Sequence, residues 1–121
     1  MIDKKKIKQE YKNIVHPKGI FAVRNKKTGR VFLASTLNLY NIAERTKFRL
    51  NMGSYPNEWL MKDWKDLGEK SFSIEILETL KLQDDPAYNY DEDLKILEMI
   101  WIDKFRPFSE KCYNEKEDIR L

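Results

Sequence analysis

Glu98 is the residue whose surroundings in the sequence point most clearly to a chemical role. It lies in ILEMIWI, residues 96–102, where every other residue is apolar. Helical spacing places it on one face with Leu94, Trp101 and Ile102. A carboxylate on such a face costs several kcal/mol to desolvate unless a cation, a hydrogen-bond donor or a metal ion meets it. Glu98 is therefore either a structural carboxylate held by arginine or backbone N–H groups, which is the more common case, or a metal-binding carboxylate.

Basic side chains are concentrated in the first half of the chain. Residues 1–50 hold 13 Lys/Arg and 3 Asp/Glu, residues 51–121 hold 10 and 17, and the net charge is only +3. Clustered positive charge is what contacts to phosphates require, so the asymmetry predicts a polyanion partner. Packing of the two halves against each other is the alternative. The candidate phosphate-binding residues are Lys18, Arg24, Lys26, Lys27, Arg30, Lys47 and Arg49.

Other kinds of chemistry find little support in the sequence. His16, the single histidine, precedes a proline, and nothing near it could orient it as a base. Cys112, the single cysteine, has no histidine beside it to activate the thiol, and the sequence has no Cys/His cluster typical of zinc. No apolar run approaches the roughly 18 residues of a membrane span, and the basic N-terminus lacks the apolar core of a secretion signal. We therefore expect a cytoplasmic protein with no membrane partner.

The hydrophobic pattern predicts the elements that position these residues. Two β-prone runs around a polar turn indicate a hairpin, 19–24 with 30–35, and alternation of apolar residues indicates a third strand near 72–77. Helical spacing is present over 3–13, over 38–50 with Asn38 as its cap, over 56–67 with Pro56 at its start, and over 91–105. We read the tryptophans at 59, 64 and 101 as core residues. The fold class is α+β, with a small three-stranded antiparallel sheet flanked by helices.

The motifs in these segments resemble the GIY-YIG endonuclease domain family. Its members pair a Gly-Ile-Tyr strand with a Tyr-Ile-Gly strand in a hairpin, and here the two motifs read GIF at 19–21 and FLA at 32–34. The stretch 52–78 is similar to the family's tryptophan-containing helix and third strand, 97–108 to its final helix, and Tyr113-Asn114 to its closing Tyr-Asn. The resemblance covers residues 18–114.

The resemblance implies a reaction and the residues that would carry it. In the family, a divalent cation held by the helix glutamate polarises the scissile phosphate. A strand tyrosine helps to deprotonate water, and a helix arginine steadies the phosphate. The metal-binding glutamate falls on Glu98, the two tyrosine positions on Phe21 and Phe32, and the arginine position on Ile42.

This chain departs from the family pattern at the positions that do acid–base chemistry. Phe21 and Phe32 keep an aromatic ring without its hydroxyl, and Ile42 has no charge. Arg45 is the candidate replacement for the arginine, because it lies one helical turn beyond Ile42. We expect it to pair with a partly buried Glu98 near the two phenylalanines. Tyr40 and Tyr55 are candidate replacements for the hydroxyls, but the sequence does not place them.

These observations predict a catalytically degenerate GIY-YIG domain over 18–114, with a basic helical extension at 1–17 and a charged tail at 115–121. It would bind nucleic acid weakly through the basic hairpin, with DNA favoured over RNA. It would need no cofactor, or Mg²⁺ if the ancestral site still binds metal. Two alternatives remain open. One is a divergent Mg²⁺-dependent endonuclease that uses Glu98 and Arg45. The other is a protein-interaction module without a nucleic-acid role, which the acidic second half favours.

Overall fold

The computed structural model describes residues 16–105 and 112–114. Its elements in chain order are β1 (Gly19–Asn25), β2 (Val31–Thr36), α1 (Ile42–Met52), α2 (Glu58–Leu67), a short 3₁₀ turn (Glu69–Ser71), β3 (Phe72–Thr79) and α3 (Asp91–Phe105). The predicted α+β class and three-stranded antiparallel sheet are confirmed. The predicted helix over 3–13 and the tail at 115–121 lie outside the described residues, so the proposed domain boundaries stay predictions.

The sheet has the order β2-β1-β3, with β1 in the centre. Its hairpin turn is organised by Asn25, which is fully buried. The Asn25 Oδ1 atom accepts hydrogen bonds from the backbone N–H groups of Lys27 at 3.0 Å and Thr28 at 3.3 Å. An Asn side chain that bonds to the backbone two and three residues ahead is a common way to fix a turn. The turn therefore sets the register in which Phe21 faces Ala34 across the two strands.

Glycine is required at the start of β1. A Cβ atom built at Gly19 would lie 2.0 Å from the backbone oxygen of Glu78 in β3. The pairing of β1 with β3 also shifts register between Ile20 and Phe21, as a β-bulge does. The glycine of the GIF motif thus permits the close approach of two backbones at this irregular point of the sheet.

The sheet separates two apolar layers. Phe21, Val23 and Phe32 belong to the layer that contains residues of α1 and α2. Their neighbours along the strands, Ala22, Val31 and Leu33, belong to a layer with Ile102 of α3. Because successive residues of a strand point to opposite faces, alternate residues of the hairpin belong to the two layers. The helices α1 and α2 cover one face, and α3 covers the other.

The predicted starts of α1 and α2 are wrong, whereas the predicted start of α3 at Asp91 is confirmed. Asn38 does not cap α1, because its side chain accepts a hydrogen bond of 2.9 Å from the N–H of Tyr40 and so forms a turn before the helix. The N-cap is Asn41, which has a left-handed φ of 52°. In α2, Asn57 rather than Pro56 precedes the first turn, and its Oδ1 accepts from the Leu60 N–H at 2.9 Å. The start of α1 is therefore set by the turn at Asn38 and the left-handed backbone of Asn41, and the start of α2 by the side-chain cap of Asn57.

The three tryptophans do not all lie in the core. Trp64 is buried, whereas Trp59 is 41% exposed, and Trp101 is half-buried with its Nε1 donating to Glu78 Oε1 at 3.0 Å. None of the described helices combines the length and the apolar character needed to cross a bilayer.

Candidate functional site

A cleft of about 670 Å³ opens beside β2, between the loop that joins α1 to α2 and the middle of α3. Seven residues singled out from the sequence line it, namely Phe21, Phe32, Ile42, Arg45, Arg49, Tyr55 and Glu98. The cleft also contains polar residues that were not assigned a role, among them Ser35 and Asn114. It is therefore the place where the fold brings the candidate chemical groups together.

The two phenylalanines form an apolar wall of the cleft. Phe21 and Phe32 are 4% and 8% exposed, and both belong to the core layer under α1 and α2. Ile42 is equally buried at the start of α1. These positions therefore offer neither a hydroxyl nor a charge to a molecule in the cleft, and their main contribution is to packing.

Glu98 is half-buried, and its Oε2 atom accepts a hydrogen bond of 3.0 Å from Ser35 Oγ. Ser35 can reach it because the side chains of Val31, Leu33 and Ser35 alternate toward the α3 face of the sheet. The expectation that Glu98 is partly buried and held by a donor is confirmed, and Glu98 lines the same cleft as Phe21 and Phe32. The identity of the donor is a correction, since Arg45 was expected and Ser35 is found.

Arg45 is occupied with the backbone before its own helix. Its Nε and Nη2 atoms donate to the Tyr40 carbonyl oxygen at 3.1 and 2.9 Å, and Nη2 also donates to the carbonyl oxygen of Asn38. Between Arg45 and Glu98 the described residues form no ion pair. Arg45 holds the turn at Asn38–Asn41 in place, which gives it a structural role at the edge of the cleft.

Arg49 lies one turn further along α1, and its guanidinium contacts a tyrosine ring of the cleft instead of the loop before the helix. Its guanidinium carbon is 5.1 Å from the centre of the Tyr55 ring, within the range of a cation–π contact. Its Nη2 atom donates to the Ser54 carbonyl oxygen at 3.1 Å. No other hydrogen bond of the guanidinium to the described part of the chain is present, so most of its N–H groups are available to a ligand.

Tyr55 is held in the cleft by the end of α1 and the start of α2. Gly53 ends α1 with a left-handed φ of 71°, and the N–H groups of Gly53 and Ser54 donate to the carbonyls of Leu50 and Arg49, a pattern typical of a glycine-terminated helix. The Tyr55 N–H donates to Met61 Sδ at 3.3 Å. The Tyr55 ring then packs edge-on against Phe32, with 5.4 Å between ring centres.

Burial raises the pKa of Tyr55 well above that of an exposed tyrosine. Arg49 partly offsets this effect, and the negative charge of Glu98 adds to it. The phenol is therefore neutral at physiological pH. A neutral hydroxyl can donate a hydrogen bond to an anion, but it is a poor acceptor of a proton from water.

Asn114 completes the site from the other end of the chain. Its Oδ1 accepts from the Leu33 N–H at 2.8 Å, and its Nδ2 donates to the Leu33 carbonyl oxygen at 2.9 Å. The preceding Tyr113 N–H donates to the Val31 carbonyl oxygen at 2.8 Å. The side-chain amide thus pairs with the outer edge of β2 as a neighbouring strand would, and it satisfies backbone groups that an edge strand leaves open.

The basic hairpin turn does not line the cleft. Phe21 and Lys26 are five residues apart along the hairpin, about 17 Å at the usual rise of a strand. Arg24 pairs with Glu75 at 3.2 Å, and Arg30 lies 3.9 Å from Asp63. Lys26 and Lys27 are exposed. The positive charges predicted to bind phosphate are thus divided between the turn and the cleft, and the arginines of the turn face carboxylates.

The remaining two predicted phosphate-binding residues also lie outside the cleft. Lys18 sits over the Tyr90 ring, with its Nζ atom 5.1 Å from the ring centre, and the same atom donates to the His16 carbonyl oxygen at 3.1 Å. Lys47 is half-buried on α1. Neither lines the cleft, so Arg49 is the residue of the predicted set that offers positive charge there.

The side chains of the cleft could hold Mg²⁺ only together with a substrate that supplies some of the ligands. Within residues 16–105 and 112–114, no three His, Cys, Asp or Glu side chains come together as a metal site. Mg²⁺ is usually held by one or two carboxylates together with water and substrate phosphates. Glu98 and Glu58 both line the cleft, and Glu98 supplies the carboxylate that such a shared site needs.

Comparison with known proteins identifies the fold. No protein-family model and no curated protein matches the chain. Two solved structures do match it. One is the catalytic domain of the intron endonuclease I-TevI in a point-mutant form, with 20% identity, a TM-score of 0.65, and coverage of 81% of this chain and 92% of that one. The other is the catalytic domain of the homing endonuclease I-TevI, with 17% identity, a TM-score of 0.63, and coverage of 81% and 99%. The chain has the fold of the GIY-YIG endonuclease catalytic domain.

Proposed function

We propose that this protein is a nuclease-like domain that binds nucleic acid, with DNA favoured over RNA, and that it has lost the hydrolytic reaction. The observation that supports this most is the composition of the cleft. The cleft is open and presents Arg49, Tyr55 and Glu98, whereas the two strand positions expected to carry hydroxyls hold buried phenylalanines. It can therefore accept a phosphate without offering a tyrosine hydroxyl from either strand to help activate water.

The expected loss of rate can be judged from the groups that are missing. A general base contributes typically 10²–10⁴-fold to a rate, and Phe21 and Phe32 cannot supply one. Removing one preorganised donor to a transition-state charge costs roughly another 10²–10³-fold, and Ile42 is apolar where the family arginine would lie. Arg45 does not compensate for this loss, because its Nε and Nη2 atoms donate to a backbone carbonyl oxygen. Together these losses are large enough to abolish useful turnover.

A divergent Mg²⁺-dependent endonuclease is the second candidate, and the open cleft around Glu98 favours it. When bound beside Glu98, Mg²⁺ would polarise a phosphate oxygen and lower the pKa of a coordinated water. Among the chain's own residues, Glu98 would hold the ion, Arg49 would offset phosphate charge and Tyr55 would donate a hydrogen bond. This candidate needs an activated water, and the described residues of the cleft present no histidine or unpaired lysine to provide a base.

One pair of measurements separates the candidates. Binding of a fluorescein-labelled 20-nucleotide duplex and of the matching single strand is measured by anisotropy at several salt concentrations. Cleavage of the same oligonucleotides is measured with 5 mM Mg²⁺ or Mn²⁺, for the wild type and for Glu98→Gln. We expect weak, salt-dependent binding, tighter for the duplex, and no cleavage. Metal-dependent cleavage that Glu98→Gln abolishes would establish the endonuclease instead. Absence of binding at low salt would refute the proposal and favour the protein-interaction module.

A further inference from the structure

We propose that Tyr55 and Arg49 form a paired phosphate-binding device, in which the Tyr55 hydroxyl donates a hydrogen bond to a phosphodiester oxygen while the Arg49 guanidinium supplies the charge. This inference rests on the proposed function, since it names the groups through which the cleft would hold a nucleic-acid backbone. It assigns the contacts to phosphate to the last turn of α1 and the loop that follows it, and not to the hairpin turn.

The Tyr55 hydroxyl is open to the cleft although its ring is not. The residue is only 5% exposed, and Tyr55 Oη makes no hydrogen bond to any described residue. However, no deeply buried side-chain oxygen or nitrogen in the described chain is left without a partner. The hydroxyl oxygen therefore keeps some exposure, and Tyr55 is one of the residues that line this cleft. A buried ring that ends in an accessible hydroxyl is a rigid donor.

The Arg49 guanidinium is held beside this hydroxyl by two contacts. It lies over the Tyr55 ring at 5.1 Å and donates one hydrogen bond to the Ser54 carbonyl oxygen. Arginine is well suited to phosphate because its planar guanidinium offers several N–H donors in a fixed geometry. Both side chains thus point into the cleft from one short segment, and neither needs a large rearrangement to meet an anion.

The segment that carries the pair is itself rigid. Gly53 ends α1, Asn57 caps α2, and the Tyr55 backbone between them is bonded to Met61. Groups that are already ordered lose less conformational entropy on binding than groups on a mobile loop. The same pair is unsuited to hydrolysis, because a phenol that stays protonated cannot take a proton from water. The device therefore explains how the cleft can bind a phosphodiester and leave it intact.

Two single substitutions test the device, one that removes the hydroxyl of Tyr55 and one that removes the charge of Arg49. The measurement is binding of the labelled duplex. Tyr55→Phe should weaken binding about tenfold and leave the salt dependence unchanged, because a neutral donor releases no counterion. Arg49→Gln should weaken binding and reduce the log–log salt slope by about 0.9. Tyr40→Phe and Lys65→Gln are the matched controls, since both residues are exposed and outside the cleft, and both should bind as the wild type does.

Two further variants keep the test decisive. Arg49→Lys keeps the positive charge but loses the planar guanidinium, and because the residue is exposed the fold should stay intact. This variant should bind the duplex at least about threefold more weakly than the wild type does, with the same salt slope. In the double variant of Tyr55→Phe and Arg49→Gln, the loss should be smaller than the product of the single losses. Wild-type affinity in a folded Tyr55→Phe protein, or in Arg49→Lys, would overturn the device while leaving the proposed function in place. Absence of binding by the wild type would refute both the device and the proposed function.

Discussion

Ser35 Oγ donates a hydrogen bond of 3.0 Å to Glu98 Oε2 and so joins the end of β2 to the middle of α3. The two residues are 63 positions apart in the chain. Glu98 is the polar residue of an otherwise apolar helical segment, and Ser35 lies where an edge strand leaves the sheet. The contact therefore does two things at once. It compensates a half-buried carboxylate, and it fixes one wall of the cleft.

Ser35→Ala should lower the free energy of unfolding by about 1 kcal/mol, because a hydrogen bond to a charged group is removed and the carboxylate remains. Denaturant unfolding of the single variants and of the double variant with Glu98→Gln gives the coupling between the two residues. Ser54→Ala is a suitable control, since its exposed hydroxyl makes only a 3.4 Å contact to the Arg49 carbonyl oxygen. Equal effects of Ser35→Ala and Ser54→Ala would show that the contact contributes no stability.

Gly19→Ala should destabilise the fold by roughly 3 kcal/mol, at the upper end of what overpacking costs. The added Cβ would meet a backbone oxygen of β3 at 2.0 Å, and a backbone atom has little freedom to move aside. Gly29→Ala is the matched control. Its φ of +79° strains any side chain, but nothing lies within 4 Å of the new atom, so the cost should stay near 1 kcal/mol. Comparable unfolding midpoints for the two variants would argue against a steric role for Gly19.

The exposed lysines of the hairpin turn should contribute more to nucleic-acid binding than the arginines beside them. Arg24 and Arg30 face the carboxylates of Glu75 and Asp63, whereas Lys26 and Lys27 are exposed to solvent. The Lys26→Gln, Lys27→Gln variant should reduce the log–log salt slope by about 0.9 for each phosphate that it no longer neutralises. The Arg24→Gln, Arg30→Gln variant should change it less. The reverse order, measured by duplex anisotropy, would contradict this view of the turn.

The stability of the protein should fall in alkaline solution as Tyr113 begins to ionise. Burial, together with its hydrogen bond to Asp63, raises the pKa of Tyr113 to about 12, partly offset by the hydrogen bond from Asn25. The unfolded chain releases this proton near pH 10. The neutral phenol therefore stabilises the fold fully below pH 10, and this contribution is lost as the pH rises through 10 toward 12. The difference in unfolding free energy between wild type and Tyr113→Phe should be constant up to about pH 9 and shrink above pH 10. A difference independent of pH would contradict the raised pKa.

Local patterns in the sequence were sufficient for the hairpin, the third strand and the final helix. Alternating residues must point to opposite faces of a strand, so the positions of Phe21 and Phe32 in the core follow from the pattern. The apolar surroundings of Glu98 likewise required that something compensate its charge. Helix starts were harder to predict, because Asn38 and Asn41 are both residue types that favour a helix cap. The Asn38 side chain bonds to the Tyr40 N–H in a turn, and α1 starts after Asn41, whose backbone is left-handed.

The partners of the charged and polar groups were decided only by the tertiary structure. Arg45 and Arg49 are one helical turn apart on the same helix, yet one bonds to the preceding loop and the other lies over Tyr55. Arg24 meets an acid 51 positions away, and the Tyr55 hydroxyl is placed by a glycine turn and a helix cap that act together. A long side chain can reach several partners from one backbone position. The choice among them is made by how the helices pack on the sheet, which no local pattern in the sequence contains.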